Sequence, residues 1–390
     1  MKFNYLKIKD VCDFVGGSQP PKSQFIYVSK PGYVRLIQTR DYKTDAFPTY
    51  IPISSTKKFC DEFDIMIGRY GPPIFQICRG LKGAYNVALL KVIPKEGVSR
   101  DFLYYFLKQD SVFQYVDKLS ARTGGQTGVD LVSLKEYPVR IPEEIECQEK
   151  LVTILSVIDK KIALNNRINT ELEAMAKTLY DYWFVQFDFP DANGKPYKTS
   201  GGKMVYNATL KREIPAGWSI SNLGDIAELY QPKTISGKHL VDNGKYLVYG
   251  ANGIVGRFDE YNHKKSMVTI TCRGNTCGNI NITRPYSWIT GNAMVVKPNH
   301  DYLSSYYIYN LLLTSEIDKV ITGSAQPQIT RANLAPLKVV NPAVDVLQRF
   351  SIIADGLFKK QISMLDENEK LSNLRDWLLP LLMNGQVTVK

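Results

Sequence analysis

The stretch ILSVIDKKIALNNRINTELEAMAKTLYDYWF runs from Ile154 to Phe184, and IIADGLFKKQISMLDENEKLSNLRDWLLPLLMNG runs from Ile352 to Gly385. In the first, positions spaced four and three apart are Leu151, Leu155, Ile158, Ile162, Asn165, Asn169, Leu172, Ala176, Leu179 and Trp183. In the second they are Phe350, Ala354, Leu357, Gln361, Met364, Asn368, Leu371, Arg375, Leu378 and Leu382. Eight of ten are apolar in the first series and seven of ten in the second. That is the seam of a helix pair. Pro142 and Pro342 stand just before the rods, and Gly385 follows the last turn as a C-cap. A helix of about 40 residues is about 60 Å long. Asn165 and Asn169 interrupt the seam, with Asn368 in the other rod as a candidate partner. A buried asparagine costs stability but sets register.

The rods belong to a repeat. LKEYPVRIP (134–142) lies over LAPLKVVNP (334–342) at an offset of 200 without a gap, and Gln126 then meets Gln326 and Gln148 meets Gln348. YLKIKDVCDF near the start echoes WSISNLGDIAEL from Trp218. The bodies between these anchors match poorly. The order is body 1–142, rod 143–185, linker 186–212, body 213–342, then rod and tail 343–390. Two similar rods pairing antiparallel would act as a spacer carrying two different heads.

VTITCRG, NAMVVKP, VALLKVIP and DIMIGRYG are β-branched runs bounded by turn residues, so the bodies read as short strands. Each also has a tyrosine-rich helix, 102–116 and 302–321, whose aromatic stripe reads as core. The fold class is α+β, two mixed bodies in a pseudo-twofold repeat joined by an antiparallel coiled coil.

The 390 residues carry a net charge of +11, and its placement is uneven. Residues 1–142 hold 21 Lys/Arg against 13 Asp/Glu, net +8, and 213–342 hold 12 against 9, net +3. The first rod is 5 against 8, net −3, and the second with its tail balances at 6 against 6. Basic bodies favour a polyanion as partner. No long uncharged apolar run suggests a membrane span, and MKFNYLKIKDVCDF is no secretory signal. Six scattered cysteines suit a reducing cytoplasm.

No catalytic constellation stands out. His239, His263 and His300 form no zinc spacing, and Cys272 and Cys277 have no second pair nearby. GANGIVG (250–256) is not a dinucleotide fingerprint, GGKM (201–204) lacks the rest of a P-loop, and DFPDANG (188–194) fails as a calcium loop. The loops instead set Arg, Lys, Asn and Gln beside Gly and Tyr. In the first body the candidates for DNA contact are Gln19, Lys22, Arg35, Gln38, Arg40, Arg69, Tyr70, Arg79, Lys82, Arg122 and Gln126. In the second they are Gln231, Lys233, Lys238, Asn252, Arg257, Arg273, Asn275, Asn279, Gln326, Gln328 and Arg331. Arg suits a guanine edge and Asn or Gln an adenine edge in the major groove, and Lys suits phosphates.

The stretch DYWFVQFDFPDANGKPYKTSGGKMVYNATLKREIPAGW (181–218), with YGANGIVGRFDEYN (249–262) and GSAQPQIT (323–330), resembles the specificity subunits of type I restriction–modification systems, and the resemblance spans essentially the whole chain. One departure is Cys147-Gln148 and Leu347-Gln348, where that family often has Glu-Gln. The resemblance implies a non-catalytic subunit with two target-recognition domains, each reading one half of a bipartite, asymmetric site in double-stranded DNA. It implies paired helices that set the gap and dock two modification (methyltransferase) subunits, joined by motor–nuclease restriction subunits. It also implies no cofactor in this chain, with S-adenosylmethionine, Mg and ATP used only by the partners. The competing reading is a coiled-coil scaffold whose basic bodies grip an acidic protein.

Overall fold

Two helices outrun every other element, Ile145–Tyr180 and Val344–Met383. The computed structural model describes residues 2–71, 74–119, 121–123, 126–323 and 326–387, with the backbone alone for 121–123, 126 and 127. The fold is α+β, two β-rich parts joined by these long helices packed against each other. Contacts divide the chain into two compact units, residues 1–163 with 369–390, and residues 164–368. Each unit therefore takes one part of each long helix.

In the first unit, strand Phe3–Lys7 pairs antiparallel with Pro138–Pro142. Strand Cys12–Gly16 pairs with Leu89–Pro94, which pairs with Ile65–Gly68, which pairs with Ile77–Cys78, all antiparallel. A second sheet sets Tyr33–Ile37 antiparallel to Tyr50–Pro52 and parallel to Gly83–Tyr85. The second unit repeats this wiring. Ser219–Asn222 pairs with Lys338–Asn341, and Ala227–Tyr230, Ala293–Pro298, Val268–Thr271 and Ile280–Ile282 follow in order across a sheet. Tyr246–Gly250 lies antiparallel to Gly253–Phe258 and parallel to Trp288–Ile289. Strands Ile65–Gly68 and Val268–Thr271 are buried throughout, which is why they read as unbroken apolar or β-branched runs.

The repeat is visible in single bonds, at an offset of 215 near the start of each body and 200 near its end. Ile8 N–H donates to the Tyr137 carbonyl at 3.0 Å, and Leu223 N–H donates to the Leu337 carbonyl at 2.8 Å. Asp130 and Thr330 each cap a short helix, Leu131–Lys135 and Arg331–Leu334, with their side-chain oxygens. Asp10 and Asp225 each accept a backbone N–H three residues earlier, from Lys7 and Asn222, both at 2.9 Å.

The tyrosine-rich segments are broken, not continuous. The first is Arg100–Leu107 followed by Asp110–Leu119; the second is Ser305–Leu313 followed by a short 3₁₀ turn, Ile317–Val320. Side chains end these helices by taking last-turn carbonyls. Gln109 Nε2 donates to the Phe106 carbonyl at 3.1 Å, and Ser315 Oγ donates to the Leu311 carbonyl at 2.6 Å. Tyr104, Tyr105, Tyr306 and Tyr307 are buried, so the stripe is core.

Within the first unit, Leu151 and Leu155 share a core with Leu379, Leu382 and Met383. Arg375 Nη1 donates to Asp159 Oδ1 at 2.8 Å, and Tyr105 Oη donates to Asp159 Oδ2 at 2.8 Å. The second long helix ends as its sequence promised. Gly385 has φ of 62°, its N–H donates to Leu382, and Gln386 N–H reaches back to Leu381. Pro380 sits inside this helix, near its end. Arg140 closes the corner: its guanidinium lies 4.0 Å from the Phe3 ring centroid and donates to the Asn384 carbonyl. A cation there also suits the negative end of the helix dipole.

Within the second unit the helices again run antiparallel, since Asn165 meets Asn368 while Trp183 meets Phe350. The first long helix continues as one π turn, Asp181–Val185, which places both Trp183 and Phe184 in the core. The stretch expected as a linker, 186–212, is folded. Phe187 and Phe189 are buried against Trp218, at ring-centroid distances of 5.6 and 5.1 Å. Met204–Asn207 and Arg212–Pro215 form an antiparallel pair, and Asp191 Oδ1 accepts from Asn193 and Lys195 N–H, each at 2.8 Å, to shape the DANGK turn.

Candidate nucleic-acid interface

In the second unit the candidate residues gather where strands end. Ala227–Tyr230 runs into Gln231, Val268–Thr271 runs into Arg273, and Tyr246–Gly250 turns through Asn252. Backbone and side-chain bonds tie these ends together. Thr271 Oγ1 donates to the Ala251 carbonyl, and Thr290 N–H donates to the Tyr249 carbonyl at 3.0 Å. Arg273 forms an isolated antiparallel bridge with Gln328, flanked by Gly274 N–H to Pro327 at 3.1 Å and Ile329 N–H to Cys272 at 2.9 Å. The result is a depression of about 300 Å³. Its floor is Leu229, Met294 and Ile329; its polar lining is Gln231, Arg273, Gln328, Thr330 and Arg331. Gln231, Arg273 and Arg331 are exposed, and Gln328 is half-buried.

Around it, Asn275 and Asn279 are exposed on a turn whose Gly274 and Gly278 have φ of 89° and 92°. Asn252, Lys233, Lys238 and Gln326 are exposed as well. Arg257 is half-buried and donates to the Gly244 carbonyl at 3.1 Å, so it braces a loop.

The first unit arranges its own strand ends the same way. Ser18 N–H donates to the Tyr85 carbonyl at 3.1 Å, Asn86 N–H to Ile37 at 3.0 Å, and Arg69 N–H to Ala88 at 2.8 Å. Tyr70 bridges Gly128 as Arg273 bridges Gln328. Arg69 lies 5.0 Å from the Tyr70 ring centroid. Gln38 and Arg40 both donate to the Thr49 hydroxyl, at 3.3 and 3.4 Å. Gln19, Lys22 and Lys82 are exposed. Two candidates are engaged inside the fold. Arg35 is paired with Asp45 at 2.7 Å and Asp41 at 3.5 Å, and Arg79 with Asp101 at 2.7 Å while stacked 3.9 Å over Tyr104. Arg122 and Gln126 lie in the paired strands Ala121–Thr123 and Gln126–Gly128, but their side chains fall outside the described part.

The groups behind the depression are not reactive. Burial pushes the Cys272 thiol above its ordinary pKa, which disfavours the thiolate. Burial, and then the Lys297 charge, lower the pKa of His263. Asn262 Oδ1 accepts from Ile289 N–H at 2.8 Å and faces His263 Nδ1 at 2.6 Å. His263 therefore carries its proton on Nδ1, and its Nε2 accepts from the Tyr230 hydroxyl at 2.8 Å. Among the described residues no three His, Cys, Asp or Glu side chains could hold a metal ion, and no helix is long and apolar enough to cross a membrane.

The helix pair has a polar cluster within the second unit. Asn165 is fully buried and donates to Asn368 Oδ1 at 2.9 Å and Glu367 Oε2 at 2.8 Å. Asn368 donates in turn to Asn166 Oδ1 at 2.8 Å. Asn169 is 8% exposed, and both its amide atoms lack a partner among the described residues. The seam pattern pointed to Asn165 and Asn368. It could not reveal Asn166 or Glu367, which lie one position off the seam, or the Arg273–Gln328 bridge, which no periodicity encodes.

A family model described as the type I restriction modification DNA specificity domain matches residues 2–174 and again 215–365. The chain belongs to the type I restriction–modification specificity subunits. It is similar to the MjaIX specificity subunit of Methanocaldococcus jannaschii, 28% identical over 422 residues, covering 98% of this chain and 93% of that one. It is also similar to the HindI specificity subunit of Haemophilus influenzae, 21% identical over 359 residues, covering 74% of this chain and 77% of that one. The crystal structure of the type I S subunit from M. genitalium shares the fold, with a TM-score of 0.63 at 17% identity, over 98% of this chain and 96% of that one. Specificity subunits are non-catalytic parts of the restriction–modification complex, and this one supplies DNA specificity.

Proposed function

We propose that each body of this specificity subunit reads one half of a bipartite, asymmetric site in double-stranded DNA. Residues 1–142 and 213–342 are the recognition domains. The helices within 143–185 and 343–390 set the gap between half-sites, with Asn165 and Asn368 holding register and Asn169 packed in the same seam, and 186–212 connects the halves. The helices dock two modification subunits, which bring S-adenosylmethionine; motor–nuclease subunits bring Mg and ATP; this chain carries no cofactor, and the complex works in the cytoplasm.

One observation carries this reading: the same order of elements recurs in both units with unlike side chains at matching strand ends. A shared frame positions; unlike loops specify. Basic charge on the bodies supports a polyanion, and near-neutral or acidic rods suit protein partners.

Exchanging residues 213–342 for the matching body of another specificity subunit tests the assignment. Methylation-sensitive sequencing of host DNA is expected to report a site with one half changed and the other half and the gap preserved. A site altered in both halves would refute the two-reader arrangement.

A further inference from the structure

We propose that the residue pair at the repeated bridge is the specificity-determining position of each recognition domain, and that in the second domain Arg273 reads a guanine and Gln328 an adenine on neighbouring base pairs. This rests on the DNA-reading function proposed above and narrows it to two side chains and their bases.

The bridge occupies the same place in both units, just past the end of a fully buried strand, Ile65–Gly68 or Val268–Thr271, and just before a capped short helix. Directly opposed residues of an antiparallel bridge carry their side chains on the same face, with Cβ atoms about 4.5–5.5 Å apart. Arg273 and Gln328 accordingly line one depression together. Stacked base pairs are about 3.4 Å apart, so two long side chains rooted side by side can reach adjacent pairs. Both have the fork geometry that direct readout needs: guanidinium against guanine O6 and N7, carboxamide against adenine N6 and N7.

The first domain supports the assignment by contrast. There the partner of Tyr70 is Gly128, and a Cβ added at Gly128 would lie in van der Waals contact with the Tyr70 ring, at 3.4 Å. The ring therefore lies beside the point from which the matching residue of the other domain, Gln328, projects its side chain. A frame kept in both units, with a fork-bearing pair in one and an aromatic against glycine in the other, is what two different half-sites require. The anchoring is also rigid. Gln328 N–H donates to the Thr322 carbonyl at 2.8 Å, the Gln328 carbonyl accepts from Thr322 N–H at 2.9 Å, and Ile329 N–H ties the same segment to the strand end at the Cys272 carbonyl, at 2.9 Å.

The test uses the complete complex with its modification subunits and a pool of randomised duplexes, with Arg273→Lys and Gln328→Glu compared with the unsubstituted chain. Arg273→Lys keeps the charge and loses the fork. It is expected to lose about 10- to 100-fold discrimination at one guanine of one half-site, with non-specific affinity and its salt slope unchanged. Gln328→Glu accepts but no longer donates, and is expected to shift one neighbouring position from adenine towards cytosine. Lys233→Ala, away from the bridge, should weaken all sequences alike. If the unsubstituted complex selects a site and both bridge variants select that same site, the pair assignment is overturned and the DNA reading stands. If the unsubstituted complex selects no site, both fall. Uniform weakening by Arg273→Lys across all sequences would make Arg273 a phosphate contact and overturn its guanine role.

Discussion

Replacing Phe350 with alanine is expected to destabilise the second unit by about 3–5 kcal/mol, the usual cost of emptying a buried aromatic site. Phe350 is 0% exposed. Its ring meets Phe184 at 4.9 Å, Trp183 at 5.8 Å, Tyr180 at 6.1 Å and Tyr307 at 6.2 Å between centroids. Those partners come from the end of the first long helix, its π turn and the tyrosine-rich helix, so one ring joins both long helices to the tyrosine-rich helix. Such a crowded site cannot collapse to fill the void. Denaturant unfolding followed by fluorescence, with Trp183 and Trp218 in the same core, reads the effect. Phe350→Leu should lose less, since much of the volume is kept. An alanine variant within about 1 kcal/mol of the parent would contradict this packing.

The second large effect concerns Asp159 in the first unit. Its two oxygens serve different partners, Arg375 and the Tyr105 hydroxyl. The Asp159 and Arg375 side chains are only 20% and 21% exposed. Burial, and then the nearby carboxylate, hold the Tyr105 phenol far above its ordinary pKa, so it stays a neutral donor. Asp159→Ala removes the acceptor from both, and among the described residues Arg375 keeps its bond to Asp376. Truncating one partner of such a pair is expected to destabilise by about 2–4 kcal/mol, mostly from the cation left behind. Arg375→Leu in the Asp159→Leu background should recover much of that loss, because an apolar pair of similar volume is often neutral. A double-mutant cycle showing no coupling would refute the pairing.

What could be read from the chain follows from what period and punctuation encode. The 4-3 series through Leu151, Leu155 and Ile158 is a local property, so both long helices were legible, as was the Gly385 cap. The four apolar or β-branched strand runs were legible for the same reason. The tyrosine-rich segments looked continuous because periodicity ignores side chains that cap from within; Gln109 and Ser315 end them by competing for carbonyls. The stretch 186–212 looked like a linker because its polar residues dominate, while three aromatics, Phe187, Phe189 and Trp218, do the folding. Among candidate contacts, composition flagged Arg35 and Arg79 alongside Arg273, but it cannot tell a guanidinium already matched to Asp45 or Asp101 from one left facing outward. The offset of 200 placed Gly128 over Gln328, yet its meaning appeared only with the strand end that each one meets.

The corner built by Arg140 has a consequence for gene architecture. One guanidinium, on strand Pro138–Pro142, touches both Phe3 and the Asn384 carbonyl, so segments some 380 residues apart in sequence meet at a single side chain of the first unit. A circular permutant with its extremities joined by a short flexible tether and reopened in the DANGK turn, residues 191–195, is expected to refold and keep its target. Either half of the duplication could then stand first in the reading frame.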